Sequence, residues 1–281
     1  MNIEKIKKIK SFSKVKTKST LLEFMSKMNF NLEEHKWLYE QTMLRVTGKY
    51  SRAFFEKRYG PELEFTRVRI NCTPGTLFVN KCDIGCPPDN VVSLGRANLS
   101  GKSVFYCSDV PGTSIFEVRP KEGDWITTTT FKYSKEEVRS LALGVDATML
   151  DDYEKLPPYL QGIHQYYQEI FEEAITDSTK HEYYKTAILC KSLFGNGDAI
   201  TYPSVASQLL GRNYVFTREH AEKHMIFEES RTQQVIQYES DTDFKVRCLY
   251  TATELDEYDD LVWKKNEDCE GHKISKLIYE H

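Results

Sequence analysis

The sequence lacks the patterns that would direct a chain into or across a membrane. None of its uninterrupted apolar runs approaches the roughly 20 residues needed to cross a bilayer, and its N-terminus has no apolar segment typical of a signal peptide. Its seven cysteines are an odd number spread over 281 residues, which favours reduced thiols over a disulfide scaffold. These absences predict a cytoplasmic protein with no membrane partner.

Two familiar catalytic loops are also missing. Gly95 and Gly101 are separated by five residues, one more than the phosphate-binding P-loop allows, and the strand-like residues follow the Gly-Lys-Ser instead of preceding it. Ser204, in "YPSVAS", lacks the flanking glycines of a hydrolase nucleophile elbow. The sequence therefore predicts neither a glycine cradle for phosphate nor an attacking serine.

Metal-ligand patterns are incomplete. Cys82 and Cys86 form one short pair without a second pair at a matching distance. In "HAEKH", Ala221 follows His220 where the zinc-protease motif needs Glu. No metal site is predicted.

Charge is distributed unevenly. Residues 1–20 contain seven lysines and one glutamate, so they carry +6, whereas the whole chain carries −4 and the remainder therefore −10. Because residues 21–281 are acidic, they would repel a polyanion, so binding of nucleic acid is not expected except through the basic tail. Lysine-rich tails of this kind are more typical of solvated termini.

Hydrophobic periodicity predicts helices and strands without the regular alternation of a doubly wound sheet. Helices are predicted over residues 20–58 (in two segments), 134–144 (from a capping box of Ser134 and Glu137), 156–175 and 178–193. Strands are predicted at residues 64–70, 103–107, 125–133, 198–203, 213–217, 232–239 and 244–252. The class is α+β, with a basic tail and helical extension in residues 1–60 and a compact domain in residues 61–281.

The strand "EFTRVRI" places two arginines on one face. Thr66, Val68 and Ile70 alternate with Phe65, Arg67 and Arg69. If the first set is core, both arginines point the same way, into a cleft.

Two segments resemble the RES domain family. In the first, "GRANLSGKSVFYCSDVPGTSIFEVR", Arg96, Tyr106 and Glu117 follow one another at intervals of ten and eleven residues, as in the family's Gly-Arg-Trp-Asn…Tyr…Glu pattern. In the second, "DAITYPS" ends in Ser204 and is followed by Gly211-Arg212-Asn213. Ala97 and Ala199 depart from the family's Trp and Gly at what look like packing positions. The resemblance covers about residues 62–220.

The resemblance implies an ADP-ribosyltransferase-like fold, with a mixed β core and flanking helices, that acts on NAD+. NAD+ would be the substrate and phosphate a co-substrate, so no cofactor is expected. The implied activity is that of a transferase, an NAD+ phosphorylase that gives nicotinamide and ADP-ribose 1-phosphate. Such an enzyme acts as the toxin of a toxin–antitoxin system, restrained by an Xre-type antitoxin.

The same resemblance implies roles for individual residues. Glu117 would stabilise the oxocarbenium-like ribose, Arg96 would hold pyrophosphate or phosphate, and Tyr106 would offer a flat face to nicotinamide. Ser204 would orient the substrate as a hydrogen-bond donor. Substrate-binding roles are expected of Arg67 (with Arg69 as its competitor for the same role) and of Asn213.

Alternative functions remain open from the sequence. The chain could transfer ADP-ribose to a macromolecule, hydrolyse NAD+, or bind NAD+ or a partner without catalysis. The sequence also leaves open whether an antitoxin exists and whether the chain forms a homodimer.

Overall fold

The computed structural model describes residues 36–37, 39–41, 43, 55–59, 63–144, 153–208, 211–240, 243–267 and 271–275. Most of the predicted N-terminal extension lies outside these residues. Those described between 36 and 43 are helical. Residues Phe55–Tyr59 form a strand, so the helical prediction for residues 55–58 was wrong; aromatic residues at both ends of this segment favour extended backbone.

Eleven strands are present in the described part of the chain. They are β1 (Phe55–Tyr59), β2 (Glu64–Ile70), β3 (Val104–Ser108), β4 (Trp125–Tyr133), β5 (Glu137–Ala142), β6 (Ala199–Pro203), β7 (Arg212–Thr217), β8 (Met225–Ser240), β9 (Asp243–Leu255), β10 (Leu261–Lys265) and β11 (Gly271–Ser275).

Five α-helices have bounds within the same residues. They are α1 (Lys81–Ile84), α2 (Pro111–Val118), α3 (Pro158–Glu172), α4 (Tyr183–Leu193) and α5 (Arg218–His224). Short 3-10 helices occur at Asp89–Val91, Tyr153–Lys155 and Asp177–Glu182.

The described residues divide into two compact units. The first contains those up to Lys57 together with Val92–Lys102 and Arg139–Tyr202; the second contains Arg58–Val91, Ser103–Val138 and the residues from Pro203 onward.

The first unit packs α3 and α4 with a parallel strand pair. Strand β5 pairs with β6 through Ser140–Ala142 and Ala199–Thr201. Phe171 of α3 is fully buried, and its ring centroid lies 5.1 Å from that of Tyr202. Gly144 has φ +65°, and a Cβ there would lie 2.7 Å from the Phe171 Cβ, so this approach requires glycine.

The second unit is built on an antiparallel sheet. Its strands follow the order β7-β3-β2-β4-β8-β9-β10, with β11 pairing with β9. Helix α2 covers one face, where Ile115 and Phe116 pack in a core with Val68, Ile126 and Phe244. Parallel pairing in the first unit and antiparallel pairing in the second, with helices in both, confirm the predicted α+β class.

Most predicted elements are confirmed, but the helix predicted from Ser134 to Gly144 was wrong. Residues Glu137–Ala142 form strand β5, in which Val138 is fully buried. The Ser134 hydroxyl is hydrogen-bonded to Nδ1 of His224 at 2.7 Å, so it does not cap a helix. The apparent capping box was outweighed by burial and pairing of the strand.

The helix predicted over residues 178–193 begins differently. Thr176, not Ser178, caps a 3-10 helix at Asp177–Glu182, which leads into α4. Gly195 lies just past the end of α4 with φ +95°, as its position in the sequence predicted.

Candidate active site

Helix α2 carries Glu117 and is fixed to strand β2. Pro111 occupies its first turn, where the missing N–H costs nothing. The Ser114 hydroxyl donates to the Thr66 carbonyl at 2.6 Å, while Ile115 and Phe116 bury the apolar side of the helix. Glu117 therefore projects from the exposed side of a short helix anchored by its other residues.

Two neutral side chains hold one oxygen of the Glu117 carboxylate. The Ser204 hydroxyl donates to Oε1 at 2.5 Å, and the Asn213 amide donates to the same atom at 2.7 Å. Ser204 and Asn213 are buried, whereas Glu117 is exposed. Within the described residues, no hydrogen bond or ion pair uses Oε2.

A tight turn presents the Ser204 hydroxyl to Glu117. The Ser207 backbone N–H donates to the Ser204 Oγ at 3.1 Å, and the Ser207 hydroxyl donates back to the Ser204 carbonyl at 3.2 Å. The Ser204 N–H donates to the Gly211 carbonyl at 2.8 Å, which closes the loop at the start of β7. Because its Oγ accepts one hydrogen bond from Ser207 and donates another to Glu117, the direction of the Ser204 hydroxyl is fixed.

Gly211 permits this loop to approach α2 closely. A Cβ at position 211 would lie 1.9 Å from the Thr113 Oγ1 and 2.8 Å from its Cβ. Real Cβ atoms do not tolerate such contacts, so glycine is required here for space.

Tyr106 lies on the same face of the sheet as Asn213. Asn213 pairs with Ser108 between β7 and β3, and Tyr106 precedes Ser108 by two residues, so all three project to one side. The Tyr106 side chain is half-buried.

Arg67 and Arg69 project from the opposite face of β2. Val68, between them, packs under α2, and the Arg67 guanidinium lies 5.4 Å from the ring centroid of Phe105, the β3 residue adjacent to Tyr106. The Arg67 Nη1 donates to the Tyr106 carbonyl at 2.9 Å. Burial and the neighbouring Arg69 charge lower the pKa of Arg67 to about 10.

The alternation of "EFTRVRI" was predicted, but both faces of the strand take part in packing. Thr66 and Val68 are buried as expected, whereas Ile70 is 39% exposed. Phe65, on the arginine face, is fully buried. Both arginines were predicted to point into a cleft; Arg69 lines a cavity, whereas Arg67 is not among its lining residues.

Arg96 belongs to the first unit, whereas the other six predicted site residues belong to the second. Its Nη1 donates to the Phe171 carbonyl at 2.8 Å and, more weakly, to the Ile170 carbonyl at 3.5 Å; its Nη2 donates to the Glu173 carbonyl at 3.0 Å. The guanidinium lies 5.2 Å from the Tyr183 ring centroid. These contacts satisfy carbonyls that the end of α3 leaves without helical partners.

Sequence reasoning missed Ser207 and Thr113. Ser207 shapes the turn that presents Ser204, and the serine spacing in "PSVAS" is the signal that could have found it, since hydroxyls three residues apart often close turns. Thr113 contacts Gly211, which lies 98 positions later in the sequence, and no local sequence pattern predicts such a contact.

The described residues hold no group of three or more His, Cys, Asp or Glu side chains placed to bind a metal ion. Helices long and apolar enough to span a membrane are likewise lacking in the part of the chain that the structure covers. His220 and His224, in the pattern that resembled a metal site, hydrogen-bond at 2.7 Å to the Tyr133 hydroxyl and the Ser134 hydroxyl respectively.

An α+β chain that brings Glu117, Ser204 and Asn213 together matches the model of one protein family, the RES domain, over residues 85–238. The match spans more than half of the chain, which therefore belongs to the RES domain family. Membership is consistent with an NAD-processing, toxin-like enzyme. No curated protein matches the chain.

Proposed function

We propose that this chain is an NAD+-consuming enzyme that cleaves the bond between nicotinamide and ribose, with phosphate as the acceptor. One observation carries the proposal: the Glu117 carboxylate is fixed through Oε1 by Ser204 and Asn213, while Oε2 has no partner within the described residues. A carboxylate fixed in advance stabilises charge that develops in a transition state at little reorganisation cost.

In the proposed reaction, the bond between the ribose anomeric carbon and the nicotinamide nitrogen breaks. The electron pair stays with nicotinamide, which leaves as a neutral molecule, and positive charge spreads over the ribose carbon and ring oxygen. Glu117 Oε2 stabilises this charge and accepts a hydrogen bond from a ribose hydroxyl. An oxygen of phosphate then forms the new bond to the anomeric carbon, which gives ADP-ribose 1-phosphate.

Other residues are proposed to bind the substrate. Tyr106, half-buried on the face that carries Asn213, offers its ring to nicotinamide. Arg96 keeps the phosphate-binding role that the family pattern implies, in addition to its contacts with the end of α3. Arg67 and Arg69 are less suited to this site, because their side chains project from the other face of β2.

The experiment measures nicotinamide release from NAD+ by the purified chain, with and without phosphate, with the products resolved by mass. Phosphate-dependent release with ADP-ribose 1-phosphate supports the proposal. Free ADP-ribose would replace it with NAD+ hydrolysis, and label on a macromolecule would replace it with ADP-ribosyl transfer. Absence of release at high enzyme concentration, with NAD+ binding retained, would indicate a catalytically silent module.

The cellular role follows from the same chemistry. An enzyme that consumes NAD+ without restraint acts as a toxin in the cytoplasm, and a separate antitoxin of the Xre type would restrain it. Induced expression should lower cellular NAD+ and arrest growth, and expression of Glu117→Gln should do neither. Growth arrest with unchanged NAD+ would contradict this role.

A further inference from the structure

A cavity of about 440 Å³ opens on the face of the second unit opposite α2. Its aromatic floor is Phe105 and Phe131, whose ring centroids lie 5.2 Å apart at nearly right angles. Ala221 and Met225 add apolar surface beside them. The volume lies in the range of small-molecule sites, and the aromatic floor suits a planar group.

Three cationic side chains line the cavity: Arg69, Lys81 and Arg218. Arg69 donates through one nitrogen to the Asp83 carbonyl, and Arg218 donates to the Pro87 carbonyl. The Arg218 Nε is buried without a hydrogen-bond partner in the described part of the chain. Each guanidinium therefore retains donors beyond those bonds.

The Lys81 ammonium is less constrained than the two guanidiniums. Neither an ion pair nor a hydrogen bond engages it among the residues that the structure covers. Lys81 is a half-buried residue at the start of α1 and lines the cavity.

The two acids of the cavity neutralise its three cations only in part. The Asp83 carboxylate accepts the backbone N–H groups of Val79 and Asn80 at 3.1 and 3.0 Å, which commits it to capping α1. Glu222 has a side chain 64% exposed, and its Oε1 lies 4.0 Å from the Arg218 Nε, beyond hydrogen-bond distance. Among the lining side chains, three cations outnumber two carboxylates. Asp89, which is not part of the lining, lies 3.8 Å from the Arg218 Nη2 and offsets part of that charge, so Arg69 and Lys81 are the cations that no carboxylate pairs with in the described residues.

We infer that this cavity binds a small organic anion, consisting of a planar ring that bears a phosphate or carboxylate group. The ring packs on Phe105 and Phe131, and the anionic group is held by Arg218, Arg69 and Lys81. An anion would also offset the repulsion between Arg69 and Arg67, which lie two residues apart on the same face of β2. The site is separate from Glu117 and does not depend on the proposed reaction.

The test is calorimetric titration of the full chain with three probes: adenosine 5′-monophosphate, benzoate and inorganic phosphate, with adenosine as the neutral control. We expect one of the two ring-bearing anions to bind at least about tenfold more tightly than inorganic phosphate, with no binding of adenosine. Preference for the monophosphate or for benzoate identifies which anionic group the site takes. Failure of both ring-bearing anions to bind would overturn the inference.

Two charge variants locate the binding. Lys81→Glu should weaken the preferred probe by about tenfold or more, whereas Glu222→Gln, on a largely exposed side chain, should tighten it a few-fold. Circular dichroism checks that both variants fold. An affinity that neither variant changes would place the probe elsewhere and would overturn the assignment to this cavity.

Discussion

Arg96 in the first unit and Glu117 in the second are both charged residues of the family pattern, and both are held by neutral partners. They differ in what holds them. The Arg96 guanidinium donates to backbone carbonyls of the last turn of α3 and the residue after it, whereas one Glu117 oxygen accepts from the side chains of Ser204 and Asn213. Arg96 stabilises a helix end, and Glu117 is itself oriented by its neighbours.

The kind of partner distinguishes a charged residue that stabilises the fold from one whose own side chain is held in a fixed direction. Backbone carbonyls at a helix end gain a donor that water would otherwise supply, so Arg96 contributes to the free energy of unfolding. Side-chain donors fix the direction of the Glu117 carboxylate and leave its second oxygen available for a substrate. Loss of Glu117 should therefore affect turnover alone, while loss of Arg96 should affect stability as well.

The largest expected effect is that of Glu117→Gln on turnover. The amide has the same shape and can still accept from Ser204 and Asn213, but it carries no negative charge to stabilise the ribose cation. We expect kcat/KM for NAD+ cleavage to fall by about 10²–10³-fold. The free energy of unfolding should change by less than about 1 kcal/mol.

Glu219→Gln is the matched control for that variant, because Glu219 is an exposed glutamate at the start of α5. It should retain turnover. If Glu117→Gln cleaves NAD+ as fast as Glu219→Gln does, the carboxylate is not part of the reaction.

The next effect concerns the two donors to Glu117. Ser204→Ala and Asn213→Ala each remove one hydrogen bond to a charged acceptor, a contact worth about 1.5–3 kcal/mol, so each should lower kcat/KM by roughly 10–100-fold. Because both bonds orient the same oxygen, the double variant should lose less than the sum of the two free-energy changes. Strict additivity would show that the two residues act separately.

Ser207→Ala is the control for this cycle. It removes the hydroxyl that bonds the Ser204 carbonyl and the Gly211 N–H without touching Glu117. It should lower stability, and it should lower kcat/KM of the folded protein by less than Ser204→Ala does, because Ser207 acts on Glu117 only through the turn that presents Ser204.

Gly211→Ala tests the packing that makes the Glu117 arrangement fit. The added Cβ meets the Thr113 side chain, so we expect a loss of about 1–3 kcal/mol in the free energy of unfolding by urea. In a Thr113→Ala background the cost should be smaller, because the closest clashing atom is gone. An equal cost in both backgrounds would mean that the strain lies elsewhere.

The sequence predicted much of this arrangement. Alternation and β-branched residues located the strands at residues 64–70 and 125–133 with the bounds that β2 and β4 have. The resemblance selected Glu117, Ser204 and Asn213, which the fold brings within hydrogen-bond distance. Local periodicity suffices for elements whose burial alternates regularly.

Other features depend on contacts that local sequence does not encode. Residues 137–142 read as the start of a capped helix, but pairing with β6 makes them a strand. The alternation of β2 showed that Arg67 and Arg69 share a face, but only the fold shows that α2 and Glu117 lie on the other one. The contacts of Arg96 with α3 join residues more than 70 positions apart.

The smallest expected effect tests Arg96 itself. Arg96→Ala removes the donors to the end of α3 and should lower the free energy of unfolding by about 1–3 kcal/mol. Arg96→Lys keeps the positive charge near the helix C-terminus but loses the forked geometry of the guanidinium. It should therefore lower the free energy of unfolding by about 1 kcal/mol or less. Unfolding by urea measures both changes, and NAD+ cleavage well below the unfolding transition measures turnover separately. If Arg96 also holds phosphate, kcat/KM should fall further in the alanine variant than in the lysine variant. Wild-type stability of Arg96→Ala would contradict the capping role of Arg96. Wild-type turnover of the folded alanine variant would contradict its substrate role, and Glu117 would then be the only one of these two charged residues with a proposed part in the chemistry.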